Sequence, residues 1–156
     1  MLGAARDPAP DAAPAVTGIR VLLVDDEALM REALGELITC DPSLELVGAA
    51  ADARQAIELA RLQQPDVVLL DVKIPGGGGV YAASQITTCS PGTRIIALTA
   101  YADRSTVMAM IGAGAQAYLV KGSSGQKILH AVHDSLLSRG PLTPEAAAEV
   151  LRRVTG

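Results

Sequence analysis

Short, strongly apolar runs rich in branched aliphatic residues recur along the chain, at Ile19–Val24, Leu44–Ala49, Val67–Leu70, Arg94–Leu98 and Gln116–Val120. Amphipathic stretches near 28–39, 53–62, 79–88, 103–112 and 124–138 lie between and after them. Apolar runs too short for helices, alternating with segments of helical period, predict βα units and hence a parallel sheet of five strands with five helices. The first and third runs are nearly continuous in apolar character, as expected of central strands covered on both faces. Asp41-Pro42, Gln64-Pro65 and Ser90-Pro91-Gly92 are predicted to end the first three helices, because a residue before proline is driven out of the right-handed helical region.

The two ends of the chain differ from this pattern. Residues 1–18 are rich in Ala, Pro and Asp without a periodic apolar face and read as a disordered leader. Beyond Gly140, Thr143 is placed to cap, Pro144 suits a first helical turn, and Ala146, Val150, Leu151 and Val154 recur at helical spacing. Residues 139–156 are therefore expected to form a linker helix after a domain spanning 19–138.

Polar residues punctuate the apolar runs at telling places. Asp25-Asp26, Asp71, Thr99 and Lys121 each follow a predicted strand, and in a parallel sheet such positions converge at one end, where open α/β folds place their sites. Three carboxylates brought together raise one another's pKa unless a cation joins them, so a divalent-metal site is expected. A hydroxyl and an ammonium beside them suit the binding or acceptance of a phosphoryl group. Each residue also has a plainer reading. Asp25-Asp26 could cap the first helix; Asp71, Thr99 and Lys121 could be ordinary turn or surface residues; and Tyr118 could be core filling. Their joint placement after strands one, three, four and five argues against coincidence.

Composition narrows the function further. The chain has 156 residues and a formal net charge of -4, enough for one sizeable core but not for gripping nucleic acid through a general basic surface. Its two cysteines, Cys40 and Cys89, lack metal-ligand spacing and read as reduced, half-buried thiols. No apolar run approaches the roughly 18 residues of a membrane span, and no signal-peptide pattern is present, so a cytoplasmic protein is expected. The glycine run 76–79 lacks the Lys-Ser/Thr of a phosphate-binding P-loop and reads as a flexible loop. Asp25-Asp26-Glu27 stands where a dinucleotide-binding fold needs glycines and would repel a pyrophosphate. His130 and His133 read as a solvated helix face.

Four stretches together, VLLVDDEALMREAL, DVVLLDVKIPGGGGV, IIALTA and GAQAYLVKG, resemble the receiver domain of two-component response regulators over residues 19–138. Arg31 and the stretch LVGAAADARQAIELA make the similarity closest to NarL/FixJ-type receivers. The resemblance implies a flavodoxin-like (βα)5 fold with a doubly wound sheet of order 2-1-3-4-5. It also implies a protein that is not an enzyme in the usual sense and that accepts a phosphoryl group from a sensor histidine kinase on Asp71. Mg²⁺ would be held by Asp26 directly, by Asp25 through water, by Asp71 and by the backbone carbonyl of Lys73, since Mg²⁺ takes about six oxygens and keeps several waters. The phosphoryl oxygens would meet Lys121, the Thr99 hydroxyl and the backbone N–H of Ala100. Thr99 and Tyr118 would carry the switch to a dimerisation or output surface, as suits transcriptional control. The family usually acts on DNA through an output domain that is not part of this sequence, and a homodimer is a possible partner arrangement.

Several residues depart from the family pattern. Lys121 is followed by Gly122 where proline is common, and Gly77 and Gly78 stand where larger residues or an aspartate are common. Lys73 and Tyr101, two residues beyond Asp71 and Thr99, are large enough to shield an acyl phosphate, which predicts slow dephosphorylation. With Lys73 at that position no second carboxylate is available there for a phosphohydrolase. The competing function is a pseudo-receiver that binds protein partners without being phosphorylated; the complete set of Asp25, Asp26, Asp71, Thr99 and Lys121 favours the phosphorylatable reading.

Overall fold

The computed structural model describes residues 18–100 and 103–137, together with 145, 148, 149 and 152. The expected leader, Tyr101 and most of the expected linker helix lie outside the described residues; 145, 148, 149 and 152 are helical and exposed. Within that range the βα alternation runs β1 (Ile19–Val24), α1 (Ala28–Thr39), β2 (Leu44–Ala50), α2 (Ala53–Gln63), β3 (Val67–Asp71), α3 (Gly78–Cys89), β4 (Arg94–Thr99), α4 (Arg104–Gly112), β5 (Ala115–Val120) and α5 (Gly125–Ser135). All strand pairs are parallel and the sheet order is β2-β1-β3-β4-β5. This is the flavodoxin-like order that the resemblance implies.

Alternation along the central strands sorts side chains between two cores. Leu22, Val24, Val68 and Leu70 face α2, α3 and α4, while Val21, Leu23, Val67 and Leu69 face α1 and α5. Both β1 and β3 are therefore covered on both faces, which explains their unbroken apolar runs. The α2–α3 side is built from Ala53, Ala56, Ala60, Ala82 and Ala83, all fully buried, so these helices approach the sheet and each other without bulky side chains. Leu34, Ile38, Ile128 and Val132 fill the opposite side.

Several local expectations are refined. Gln64, before Pro65, leaves the helix in the left-handed region (φ 47°) rather than an extended one, and its side-chain amide donates to the carbonyls of Ala60, Arg61 and Cys89. Helix α5 ends at Ser135, short of the expected 138, because Leu136 and Leu137 turn their N–H groups to carbonyls three residues back. Cys40 is exposed at the C-cap of α1 rather than half-buried, and Cys89 is partly buried; both are free thiols. His130 is solvated, but His133 is not merely so: its Nε2 lies 3.2 Å from Asp41 Oδ2 and 3.2 Å from Ser43 Oγ, tying α5 to the α1–β2 turn. Hydrogen bonds from Ser43, with His133 beside them, hold the Asp41 carboxyl down at about 2. Among the described residues no helix is long and apolar enough to cross a membrane.

The link from β3 to α3 positions the site. Gly79 packs so closely under the end of β3 that a Cβ there would stand 2.6 Å from Val72 Cα and 2.8 Å from the Asp71 carbonyl oxygen. Gly79→Ala must push α3 off the strand and is expected to cost about 1–3 kcal/mol in urea unfolding, as overpacking does. Gly92→Ala, with nothing within 4 Å of its added methyl, is expected to stay within about 0.5 kcal/mol of the native chain.

Candidate functional site

Asp25, Asp71, Thr99 and Lys121 sit at the carboxyl ends of β1, β3, β4 and β5, and the parallel sheet brings these ends side by side. From β1 the strands are laid down first to one side, at β2, and then to the other, from β3 onward, so the crevice lies at the β1/β3 switch in strand order. Asp25 and Asp71 are 1% and 4% exposed, and Thr99 is buried, whereas Asp26 is exposed at the rim. One carboxylate oxygen from each of Asp25, Asp26 and Asp71 lies within 4.8 Å of the others.

Lys121 closes the cluster. Its ammonium stands 2.8 Å from Asp25 Oδ2 and 3.1 Å from Asp71 Oδ2, with Glu27 Oε1 at 3.4 Å on the solvent side. Asp25 Oδ2 is fully buried, and the ammonium beside it is close but poorly directed for a hydrogen bond. Asp25 Oδ1 accepts the Glu27 N–H at 2.9 Å, and Asp71 Oδ1 accepts the Lys73 N–H at 3.2 Å. Burial pushes the Asp71 carboxyl above its ordinary pKa; hydrogen bonding to Lys121 opposes the rise and the charge of Asp25 adds to it. Burial also works against the Lys121 ammonium, yet the two carboxylates outweigh it and hold that pKa above the ordinary lysine value. The cation gains from two anions, while each anion has only a share of one cation.

The first helix settles how Asp25-Asp26 is used. Glu27, not either aspartate, is the N-cap of α1, and no side chain caps that end. Asp25 is instead drawn under the sheet edge, its N–H donating to the Ala50 carbonyl at 3.0 Å. On the other flank, Gly76, Gly77 and Gly78 have φ of 85°, 125° and 88°, a left-handed path that other residues adopt only with strain. The run is a built turn, braced where Ala53 N–H meets the Pro75 carbonyl at 2.9 Å. Gly122 likewise has φ 99°, so glycine after Lys121 serves the backbone, and the described peptide bonds are all trans.

Thr99 and Tyr118 are joined. The Tyr118 ring is 5% exposed between β4 and the α2–α4 core, and its hydroxyl shares a side-chain hydrogen bond with Thr99. Burial, with the charges of Asp103 and Asp71, pushes the phenol up to about 12 despite that bond. The Lys121 N–H donates to the Thr99 carbonyl at 2.6 Å, so one residue carries links to both the ammonium strand and the buried tyrosine. Ala100 is exposed at the mouth, and Lys73, also exposed, lies near enough to Asp103 for its charge to lower that carboxyl's pKa, after the Thr106 bonds.

Two contributors escaped the sequence reading. Glu27 entered only as an acid that would repel a pyrophosphate, yet it adds a third carboxylate beside the Lys121 ammonium, and its contiguity with Asp25-Asp26 was the available signal. Arg31 entered only as a mark of resemblance, yet its Nη1 donates to the Asp25 carbonyl at 2.8 Å. Helical side chains lean towards the N-terminus, which is how a residue six positions on reaches back.

Residues 21–133 match the sequence profile described as response regulator receiver domain. The chain is 33% identical over 138 residues to the DNA-binding transcriptional activator DevR/DosR of Mycobacterium tuberculosis, covering 88% of this chain and 64% of that protein. It is 43% identical over 115 residues to the transcriptional regulatory protein PdtaR of the same species, covering 72% and 54%. The chain thus spans less than two thirds of the length of these relatives. Among solved structures, the signal receiver domain of the response regulator NarL from Mycobacterium tuberculosis superposes with a TM-score of 0.75 at 32% identity, covering 79% of this chain and 99% of that one.

Two stability measurements test the charge arrangement. Removing Lys121 (Lys121→Met) leaves two buried carboxylates with no cation and is expected to cost about 3–5 kcal/mol in metal-free buffer. Asp71→Asn is expected to stabilise the metal-free chain. A carboxyl whose folded pKa is raised contributes stability below its unfolded pKa and loses it as pH rises through the folded pKa. The advantage of Asp71→Asn should therefore open above about pH 3.8 and level off once the native Asp71 is ionised; equal stabilities across that range would contradict the assignment.

Proposed function

Because this chain belongs to the response regulator receiver domain family of two-component systems, we propose that it accepts a phosphoryl group on Asp71 from a sensor histidine kinase, with Mg²⁺, and thereby switches an output surface. The observation that carries this reading is the Asp71 carboxylate itself. It is nearly buried at the end of β3, 3.1 Å from the Lys121 ammonium and within reach of two further carboxylates. Hard oxygen donors and a surplus of negative charge suit a divalent cation, and the Lys121 ammonium already stands beside Asp25 and Asp71 as a monovalent stand-in. Asp26, Asp25, Asp71 and the carbonyl of Lys73 would hold Mg²⁺, which when bound supplies charge neutralisation for the transferring phosphoryl group.

The chain's own residues then do the positioning. A carboxylate oxygen of Asp71 attacks phosphorus as the P–N bond to the kinase histidine breaks, and the bonding pair leaves with the imidazole. Lys121, Thr99 and the Ala100 N–H receive the phosphoryl oxygens. Phosphorylation adds about −1.5 to −2 charges at Asp71. Thr99, drawn to that group, would give up its bond to Tyr118, and the tyrosine would repack against the face of α4, β5 and α5. Lys73, and Tyr101 by its place in the sequence two residues beyond Thr99, would shield the acyl phosphate and slow its hydrolysis. The product is a signal rather than a released molecule, so the chain is not an enzyme in the usual sense. Transcriptional control through a DNA-binding output domain, or through a homodimer, is the corresponding output, as DevR/DosR is a DNA-binding activator.

Intact-mass spectrometry after incubation with Mg²⁺ and acetyl phosphate tests the reading. One phosphoryl adduct is expected on the native chain and none on Asp71→Asn. A native chain that binds Mg²⁺ yet gains no adduct would instead indicate a phosphorylation-independent interaction module. Tyr101→Ala is expected to shorten the adduct's lifetime severalfold, on the order of the loss of one shielding side chain; an unchanged decay rate would remove Tyr101 from the site.

A further inference from the structure

Every polar group of Asp25 is held by a different part of the fold. Its N–H is bound by the Ala50 carbonyl at 3.0 Å, Oδ1 by the Glu27 N–H at 2.9 Å, Oδ2 by the Lys121 ammonium at 2.8 Å, and its carbonyl by Arg31 Nη1 at 2.8 Å. Its neighbour is the opposite case. Asp26 is exposed, and its carboxylate makes no hydrogen bond among the described residues. The direction of that carboxylate therefore depends on the backbone that carries it.

The Asp25 carbonyl and the Asp26 N–H belong to one planar peptide group. Fixing the carbonyl fixes the plane and with it the Asp26 Cα, the point from which its side chain starts and which limits where the carboxylate can reach. Arg31 is suited to the task because a guanidinium is a rigid fork that is always charged. It is also spent there by choice of partner: Glu27 and Glu32 adjoin it along the chain, yet among the described residues Arg31 makes no ion pair. Its backbone is anchored in the first turn of α1 by the bond from its N–H to the Glu27 carbonyl at 2.9 Å.

We infer that Arg31 is a positioning residue that fixes the Asp25–Asp26 peptide, aims the Asp26 carboxylate into the acidic cluster and so sets that cluster's affinity for a divalent cation. The inference rests on the reading of Asp25, Asp26 and Asp71 as a cation site. Two effects of Arg31 oppose each other. Its charge repels a nearby cation, whereas its hydrogen bond orders a ligand; partners that orient metal ligands are typically worth about 10–100-fold in metal affinity, and in this solvent-open rim the repulsion is weak. The ordering effect wins.

Titration calorimetry of MgCl₂ into the native chain, Arg31→Met and Arg31→Lys separates the possibilities, with circular dichroism and thermal midpoints confirming that each folds. Arg31→Met is expected to bind Mg²⁺ about tenfold or more weakly, Arg31→Lys to recover part of the loss, and saturating Mg²⁺ to return adduct formation from acetyl phosphate to the native rate. Unchanged or tighter binding by folded Arg31→Met overturns the inference, the tighter outcome marking Arg31 as a purely repulsive charge. If Arg31→Met does not fold, Arg31→Lys decides alone: binding as tight as native or tighter overturns the inference. A native chain that binds no Mg²⁺ overturns the cation reading and the inference with it.

Discussion

Lys121 leaves the edge strand β5 and reaches past β4 to neutralise carboxylates on β3 and β1. That ion pair cluster spans most of the width of the sheet, and the geometry of its carboxyl end depends on it. Taking three charges out of water costs several kcal/mol per ion, and one cation against two anions does not recover all of it. The opposite fortunes of Lys121 and Asp71, one gaining from its neighbours and the other strained by burial, are two views of this deficit. A site left short of positive charge is one in which a further cation is favourable. The same shortage explains why the other carboxylate oxygens, Oδ1 of Asp25 and of Asp71, are bound by backbone N–H donors.

Helix caps are distributed around this end in a way that matches it. Asp52, Asp103 and Ser124 each accept a backbone N–H and close α2, α4 and α5. The two helices that begin beside the acidic cluster, α1 after β1 and α3 after β3, have no side-chain cap. Neither N-cap residue, Glu27 or Gly77, gives a side-chain acceptor to the first turn of its helix, so the positive ends of both dipoles point towards the acidic cluster. Local helix stability is given up at the two starts where a capping group would compete with the site.

Much of this was readable from the residue pattern because buried parallel strands must be apolar until they surface, and the first polar residue past each run marks the same end of the sheet. Asp25, Asp71, Thr99 and Lys121 were found that way, and the resemblance arranged them. What stayed hidden depends on backbone course. Gly79 looks like one of four equivalent glycines until the approach of α3 to Val72 distinguishes it. Gln64 turning left-handed before proline, His133 meeting Asp41 across 92 residues, and Arg31 bonding a carbonyl rather than a nearby acid all involve partners that periodicity cannot supply.

The aliphatic character of both cores has an optical consequence. With no tryptophan and no phenylalanine, the chain's near-ultraviolet absorption and dichroism come from only three tyrosines, apart from any weak thiol contribution. Of the two that are described, Tyr81 is half exposed and averages over many surroundings, while Tyr118 is enclosed and held through its hydroxyl by Thr99. A rigid, asymmetric setting is what gives an aromatic ring strong dichroism, so of the two described tyrosines Tyr118, one hydrogen bond away from the end of β4, contributes the stronger tertiary signal. The chain carries its own unlabelled chromophore at that position, against a background free of tryptophan and phenylalanine.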